Sequence, residues 1–149
     1  KPSTGEALQR AQAIYVTEGG SDACFLYQIR YDQPMLNPTL EVRFFMTGSG
    51  NEPVREWLRS LPTVERRAVG EEIKTVQYGW PLGMPLVRKM AKDLWEVRVR
   101  LADRIPRVFF TVVGSAMVLL HGFIKKSSAT PAHELELAKQ RLQQLRSTS

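Results

Sequence analysis

The feature that most constrains the fold is a pair of apolar runs joined by only two residues. The runs are RVFFTVV (107–113) and AMVLLHGF (116–123), and Gly114-Ser115 lies between them. A two-residue loop that begins with glycine between two such runs is typical of a tight β-hairpin. The sequence therefore predicts two antiparallel strands that pair from Val113 opposite Ala116.

Extending that register predicts the partners of the polar residues in the hairpin. Arg107 should lie opposite Gly122, and His121 opposite Val108, on the face that carries Phe110. Just before the hairpin, LWEVRVRL (94–101) alternates between apolar side chains and Glu or Arg. Because side chains alternate along a strand, this segment predicts a third strand with one apolar and one arginine-bearing face.

The remaining segments complete a small α+β domain. TLEVRFF (39–45) is rich in β-branched and aromatic residues and predicts a strand. Apolar residues at helical spacing predict two helices within residues 51–61 and 62–79, and a C-terminal helix over 130–145 that begins with Thr130 as N-cap. The predicted order is a strand, two helices, a three-stranded antiparallel meander and a C-terminal helix.

The charge distribution suggests two parts of the chain. The chain has 21 Lys and Arg against 15 Asp and Glu. Residues 1–38 hold three of the bases and four of the acids, so the excess of base lies in residues 39–149. We therefore expect 1–38 to be an N-terminal extension of unknown role, with a short helix over 5–16 and a strand over 24–31, and 39–149 to be the domain. A basic domain favours a polyanionic partner, although a solvated basic face gives the same pattern.

The composition also excludes several classes of protein. A single cysteine, Cys24, cannot form an internal disulfide, and with only two histidines a structural zinc site is not expected. No apolar run reaches the roughly 18–20 residues that cross a bilayer. We expect a cytoplasmic protein that needs no metal or cofactor and does not insert into a membrane.

The basic residues around the hairpin suit the cleavage of RNA. The 2′-OH beside a phosphodiester is a built-in nucleophile, so the enzyme has to orient it, move protons and stabilise negative charge. Arg98 and Arg107 can each grip two phosphate oxygens, and Lys125 and Lys126 add charge where the hairpin ends. The N–H groups of the helix that begins near Thr130 are a further place for an anion.

The two histidines have different predicted roles. His121 lies within a strand and is interpreted as a core histidine, although a three-residue loop would move it to the other face of the sheet. His133 lies in the first turn of the C-terminal helix near the lysine pair. It is a candidate for proton transfer, with an ordinary surface histidine as the equal alternative.

Three motifs, DLWEVRV, RVFF and VLLHGFIKKSSATPAHELELAKQR, resemble the phage-derived HigB-type branch of the RelE superfamily of type II toxins. The resemblance runs from about Thr39 to the C-terminus. It implies a RelE-like fold, a ribosome-dependent mRNA endonuclease that works without metal, and a helix-turn-helix antitoxin as partner. By the same resemblance Arg98, Arg107, Lys125 and Lys126 match the family's basic positions. With His133, which is included for its location near the lysine pair, they are the catalytic candidates. Lys89, Arg100 and Arg104, which belong to the cluster of bases over 88–126, are the RNA-binding candidates.

Two features depart from this family pattern. Pro106 stands where an aromatic residue is more common, and it predicts an irregular start to its strand because proline cannot donate to a ladder. Residues 1–38 lie outside the resemblance. Since a basic sheet face is sufficient for binding, the alternative function is a noncatalytic RNA- or protein-binding module on the same scaffold.

Overall fold

The computed structural model describes residues 38–126 and 129–148. The described residues form three helices and five strands, which confirms the predicted α+β class. The helices are α1 (Pro53–Ser60), α2 (Thr63–Gly79) and α3 (Ala132–Thr148). The strands are β1 (Glu41–Phe44), β2 (Val87–Ala91), β3 (Leu94–Arg98), β4 (Ile105–Val113) and β5 (Ala116–Lys125).

The strands form one mixed sheet in the order β1-β5-β4-β3-β2. β1 runs parallel to β5, and the other neighbours are antiparallel. The meander therefore has four strands, and the prediction of three was wrong because it missed β2. The sequence VRKMA does not alternate, and a tight turn at Lys92 and Asp93, with Asp93 at φ 58°, is what pairs it with β3.

Each face of the sheet carries its own apolar core. On one face α1 and α2 pack through residues that include Val54, Leu58 and Ile73. On the other face α3 packs through Ala138 and Leu142. The residues named on α1 and α3 are among those whose helical spacing predicted these two helices, so the periodicity identified the buried side of both correctly.

A β-bulge in β5 shifts the register of the hairpin. Val113 pairs with Ala116 as predicted, and the predicted register continues to Phe110 opposite Leu119. The next pair is Phe109 opposite His121, which leaves Leu120 as an extra residue. Beyond that point every predicted pair was wrong by one residue.

The bulge corrects two predicted contacts. Arg107 lies opposite Phe123 rather than Gly122, and His121 lies opposite Phe109 rather than Val108. Because a shift of one residue moves a side chain to the other face of the sheet, His121 lies on the α3 side. The bulge also delivers Lys125 to the face that carries Arg107.

Pro106 does not disturb the start of β4. The strand begins at Ile105, the pairing with β5 is continuous through Pro106, and the Pro106 carbonyl accepts a hydrogen bond from the Val99 N–H. The predicted irregularity at this position was wrong.

The predicted helix over 5–16 and the predicted strand over 24–31 lie outside the described residues. Among the helices of residues 38–126 and 129–148, none is long and apolar enough to cross a membrane.

Candidate active site

An open cavity of about 290 Å³ lies on the α3 face of the sheet, beside the ends of β3, β4 and β5. Four of the six residues that line it are basic: it is lined by Arg98, Arg100, Leu101, Ile105, Arg107 and Lys125. A larger hollow of about 540 Å³ lies between the segment after β1 and the end of α3, but no ionisable side chain lines it. The chemistry of the described residues therefore points to the smaller, basic cavity.

The pairing of the strands brings these cations together. Arg98 on β3 lies directly opposite Arg107 on β4, and Lys125 on β5 lies opposite Ile105 on β4. Directly opposed residues of a sheet share a face, and so do residues two apart on one strand. Arg98, Arg107 and Lys125 consequently project from three neighbouring strands toward the same side.

Arg107 is a buried cation in this group. Its side chain is only 4% exposed, its Nε lies 3.6 Å from Oε1 of Glu96, and its Nη1 donates to the Pro106 carbonyl at 3.4 Å. Its Nε has no hydrogen-bond partner among the described residues. Burial lowers the pKa of Arg107, the carboxylate of Glu96 opposes that shift, and the neighbouring arginines add to it. The guanidinium is therefore incompletely compensated by the protein itself.

Glu96 contacts the beginning of α3 as well as Arg107. Its side chain is 1% exposed, and its Oε2 accepts a hydrogen bond of 3.1 Å from the Thr130 hydroxyl. Thr130 was predicted to be the N-cap of the last helix, but α3 begins at Ala132 and the Thr130 hydroxyl binds Glu96. The prediction of Thr130 as cap was therefore wrong, because the helix begins two residues further along the chain.

Lys125 is buried as well, at the last position of β5. Burial lowers the pKa of its ammonium group most, Arg107 lowers it further, and Glu96 opposes both effects. A lysine with a lowered pKa exchanges its proton more easily near neutral pH than an exposed one. Within the cavity lining, Lys125 is the side chain suited to proton transfer.

Arg98 lies against the segment between α2 and β2. Its Nη1 is 3.5 Å from the sulfur of Met84 and 3.5 Å from the carbonyl of Pro85. Its side chain is partly exposed, as expected for a residue at the mouth of the cavity. This segment therefore holds Arg98 from the β2 side while the guanidinium still lines the cavity.

Four of the predicted residues do not line the cavity. Lys126 is exposed directly after β5, and His133 is 80% exposed, with its Nε2 3.7 Å from Glu134. Arg104 binds both carboxylate oxygens of Glu65 on α2, at 2.8 and 2.6 Å. Lys89, the fourth, is exposed on β2 opposite Trp95, which places it on the other face of the sheet.

The sequence reasoning did not identify two residues of this region. Arg88 lies opposite Glu96 on β2 and so shares the face of Arg107, and Glu96 itself is a buried partner rather than a solvent-facing acid. Arg88 could be found only once β2 was recognised. Glu96 could have been noticed as the only acidic side chain on the arginine-bearing face of LWEVRVRL.

His121 belongs to a separate cluster under α3. Its ring stacks with Phe109 and Phe123, its Nε2 lies 2.7 Å from Glu134, and the Nη1 of Arg141 lies 3.3 Å from its Nδ1. A guanidinium can only donate, so Nδ1 accepts and Nε2 carries the proton, which makes the imidazole neutral. Burial lowers the pKa of His121 and outweighs the opposing effect of Glu134. The residue is a core histidine as interpreted, but in the core beneath α3.

The same cluster stabilises the bulge. Arg141 donates to the Leu120 carbonyl at 2.8 Å, and Leu120 is the extra residue of the bulge. An unpaired buried carbonyl is costly, so this hydrogen bond offsets the interruption of the ladder.

Across residues 38–126 and 129–148, no three His, Cys, Asp or Glu side chains are grouped so that they could hold a metal ion.

The described residues form a small α+β domain with an open basic cavity on one face of its sheet. The family model of the phage-derived protein Gp49-like (DUF891) matches residues 56–143, which is more than half of the chain. The chain therefore belongs to the Gp49-like family, which falls in the RelE-like group of toxin–antitoxin proteins. The match contains all of the cavity-lining cations. A search among curated proteins finds no match.

Proposed function

We propose that this protein is the toxin of a type II toxin–antitoxin pair and that it cleaves mRNA at the ribosome without a metal ion. The observation that carries the proposal is the convergence of Arg98, Arg107 and Lys125 on one open cavity, with Arg107 buried. Membership of the Gp49-like family supports the same class of protein. The finer assignment, to the HigB-type branch, rests on the sequence resemblance of the strands and of the segment from Val118 to Arg141.

The arginines fit the charge that develops during cleavage. As the 2′-oxygen attacks phosphorus, negative charge accumulates on the non-bridging oxygens of a phosphorane. Arg98 and Arg107 would contact these oxygens, and a planar guanidinium can donate two parallel hydrogen bonds to them. A buried arginine is fixed before the substrate arrives, so little reorganisation is needed in the transition state.

Lys125 is proposed to transfer a proton in the same step. The bond that forms joins the 2′-oxygen to phosphorus, and the bond that breaks joins phosphorus to the 5′-oxygen of the next nucleotide. The 2′-hydroxyl loses its proton to solvent or to a base of the ribosomal site, and Lys125 in its ammonium form donates a proton to the leaving 5′-oxygen. The products are a 2′,3′-cyclic phosphate and a 5′-hydroxyl end.

The partners follow from the same assignment. We expect mRNA to reach the cavity while it is bound by the ribosome, and a helix-turn-helix antitoxin to restrain the toxin. Arg100 in the cavity lining and Lys126 directly after β5 would add attraction for the RNA backbone. His133 and Arg104 remain predicted site residues without a contact to the cavity.

A mapped cleavage site allows a decisive test. The cut would first be located on a natural mRNA in a translation extract, and a synthetic mRNA would then carry a single 2′-deoxynucleotide immediately 5′ to the cut. We expect the unmodified mRNA to be cut and the deoxy mRNA to stay intact, because it lacks the nucleophile. Cleavage of both messages would mean that water attacks, which contradicts the proposed mechanism.

The same experiment separates the alternative function. If neither mRNA is cut although the protein binds programmed ribosomes, the chain is a noncatalytic binding module on this scaffold. The toxin assignment is checked independently in cells. Induction of the chain should arrest growth, and co-expression of an adjacent helix-turn-helix gene should relieve the arrest.

A further inference from the structure

We infer that Glu96 is a positioning residue of the site, which orients Arg107 and sets the charge around Lys125 without touching the substrate. The inference rests on the proposed function and deepens it. Glu96 is an acidic residue on the face of β3 that carries the cavity, beside the cations Arg98 and Arg107. From the alternation of the sequence alone, this face would be expected to be exposed to solvent. The side chain of Glu96 is 1% exposed and, unlike that of Arg107, does not line the cavity, so we place it behind Arg107 and out of contact with RNA.

The geometry of Arg107 shows how Glu96 would act. The carboxylate lies beside Nε, on one edge of the guanidinium, and the Pro106 carbonyl lies beside Nη1. Arginine has five N–H donors in a rigid plane, so fixing one edge fixes where the others point. Because Arg107 also lines the cavity, its remaining donors would be available to an anion bound there.

A second contact links Glu96 to the other side of the site. The hydrogen bond from Thr130 joins β3 to the segment that leads into α3. That segment follows Lys125 and Lys126 in the sequence, so one carboxylate connects the buried arginine with the strand end that carries the lysines. A carboxylate that only filled space in the core would be costly to bury here, since an apolar side chain of that size avoids the desolvation.

The charge of Glu96 matters for Lys125 in particular. The cations whose charges act on Lys125 are Arg107 on β4, Arg98 on β3 and, across the sheet, Arg88 on β2, and Glu96 is the carboxylate that opposes them. Without that negative charge the ammonium form of Lys125 is disfavoured further. The loss of activity at alkaline pH should then begin at a lower pH.

Two substitutions separate charge from geometry. Glu96→Gln keeps the size and an acceptor for Thr130 but removes the charge, whereas Glu96→Asp keeps the charge and withdraws it from Arg107 by one methylene. The matched control is Glu65→Gln, because Glu65 is also a poorly exposed glutamate that binds an arginine, Arg104, outside the cavity. Both Gln variants change the net charge by the same amount.

The measurement is the single-turnover cleavage of a defined mRNA on purified ribosomes at saturating protein, across a range of pH. We expect Glu96→Gln to cleave at least about tenfold more slowly than the wild type and to bind RNA no more weakly. Its loss of activity on the alkaline side should begin at a lower pH than in the wild type. Glu96→Asp should also be slow but keep the wild-type pH profile. Glu65→Gln should cleave at the wild-type rate.

Each other outcome overturns a specific statement. If the wild type cleaves and Glu96→Gln matches it in rate and pH profile, Glu96 has no positioning role. If Glu96→Gln and Glu65→Gln lose melting temperature and activity equally, Glu96 is only structural. If Glu96→Gln does not fold, a wild-type cleavage rate for Glu96→Asp would likewise show that Glu96 has no positioning role. A wild type that cuts no mRNA overturns the proposed function, and this role with it.

Discussion

Arg98 and Arg107 lie directly opposite each other on β3 and β4, on the open part of the face that α3 covers elsewhere. Like charges at directly opposed positions of a sheet destabilise it. Glu96 forms an ion pair with Arg107, at 3.6 Å, and is the single carboxylate beside the two guanidinium groups on this face of β3 and β4. The two arginines repel each other in the free protein, and under the proposed function a phosphate bound between them would offset that repulsion.

The first prediction concerns Arg107. Truncation to alanine would leave Glu96 buried without a cation, which lowers stability as well as activity. Arg107→Lys is the sharper change, because it keeps the charge and removes the planar fork. We expect a loss of about 2–4 kcal/mol in transition-state stabilisation and a melting temperature near that of the wild type. Cleavage kinetics and thermal melting measure the two effects.

The control for this change is Arg43→Lys on β1, whose side chain is 64% exposed. It should affect neither cleavage nor melting. An Arg107→Lys protein that cleaves as fast as the wild type would show that the guanidinium geometry is unimportant. If Arg107→Lys lowers the melting temperature as severely as it lowers the cleavage rate, Arg107 acts mainly in stabilising the fold.

Much of the fold could be predicted from periodicity, whereas the site depended on one irregularity. The helical stripes and the hairpin loop are local patterns, and they were read correctly. The bulge at Leu120 is stabilised by Arg141, which lies 21 positions away in the sequence, so no local pattern reveals it. That single extra residue decides which face His121 and Lys125 occupy.

The polar interior of the site was harder to foresee for a related reason. Glu96 alternates with apolar residues, and such a position normally faces solvent. Its burial depends on Arg107 from the next strand and on Thr130 from the segment before α3. Long-range partners of this kind make a buried carboxylate tolerable, and alternation within one strand does not report them.

The second prediction tests the close packing of β5 against α1. A Cβ added to Gly122 would lie 2.3 Å from Cε3 of Trp57, a partly buried side chain that packs against the core. We expect Gly122→Ala to lower the free energy of unfolding by about 1–3 kcal/mol, because the ring or the strand must move. Gly48→Ala is the control, since nothing lies within 4 Å of a Cβ there. Denaturant unfolding of both variants checks the difference, and equal stability would contradict the packing described.

The third prediction is a pH dependence of stability that comes from His121. Its pKa is lowered in the folded protein, chiefly by burial, so the unfolded chain binds a proton more readily than the folded one. Stability should therefore fall as the pH drops from about 6.5, the usual histidine value, toward the lower folded pKa. The Glu134 and Arg141 side chains on α3 are the charged groups that face the ring.

Two variants test whether His121 causes this dependence of the unfolding free energy on pH. His121→Gln should have a smaller change in unfolding free energy between neutral and mildly acidic pH than the wild type. His133→Gln, at the exposed histidine of α3, should keep the wild-type slope. If His121→Gln keeps the full slope, another group is responsible for it.

The fourth prediction concerns residues 24–31, which lie outside the described part of the chain. Their sequence, CFLYQIRY, places Phe25, Tyr27, Ile29 and Tyr31 on one face of a strand. In the sheet of the described residues the outer strands are β1 and β2, and an outer strand can pair with a further one. We expect residues 24–31 to form a strand that pairs with, or packs on, the basic domain.

Hydrogen exchange of the whole chain tests this expectation directly. Amides in a ladder are protected, whereas amides of an unstructured segment exchange at once. We expect the amides of residues 24–31 to exchange slowly, as those of β4 do, and to lose that protection in a variant with Ile29→Pro, because proline removes a ladder donor. The three bases and four acids of residues 1–38 carry too little net charge to neutralise the basic cavity. Any inhibition by this segment would therefore be steric, and fast exchange throughout residues 24–31 would leave the function to residues 39–149 alone.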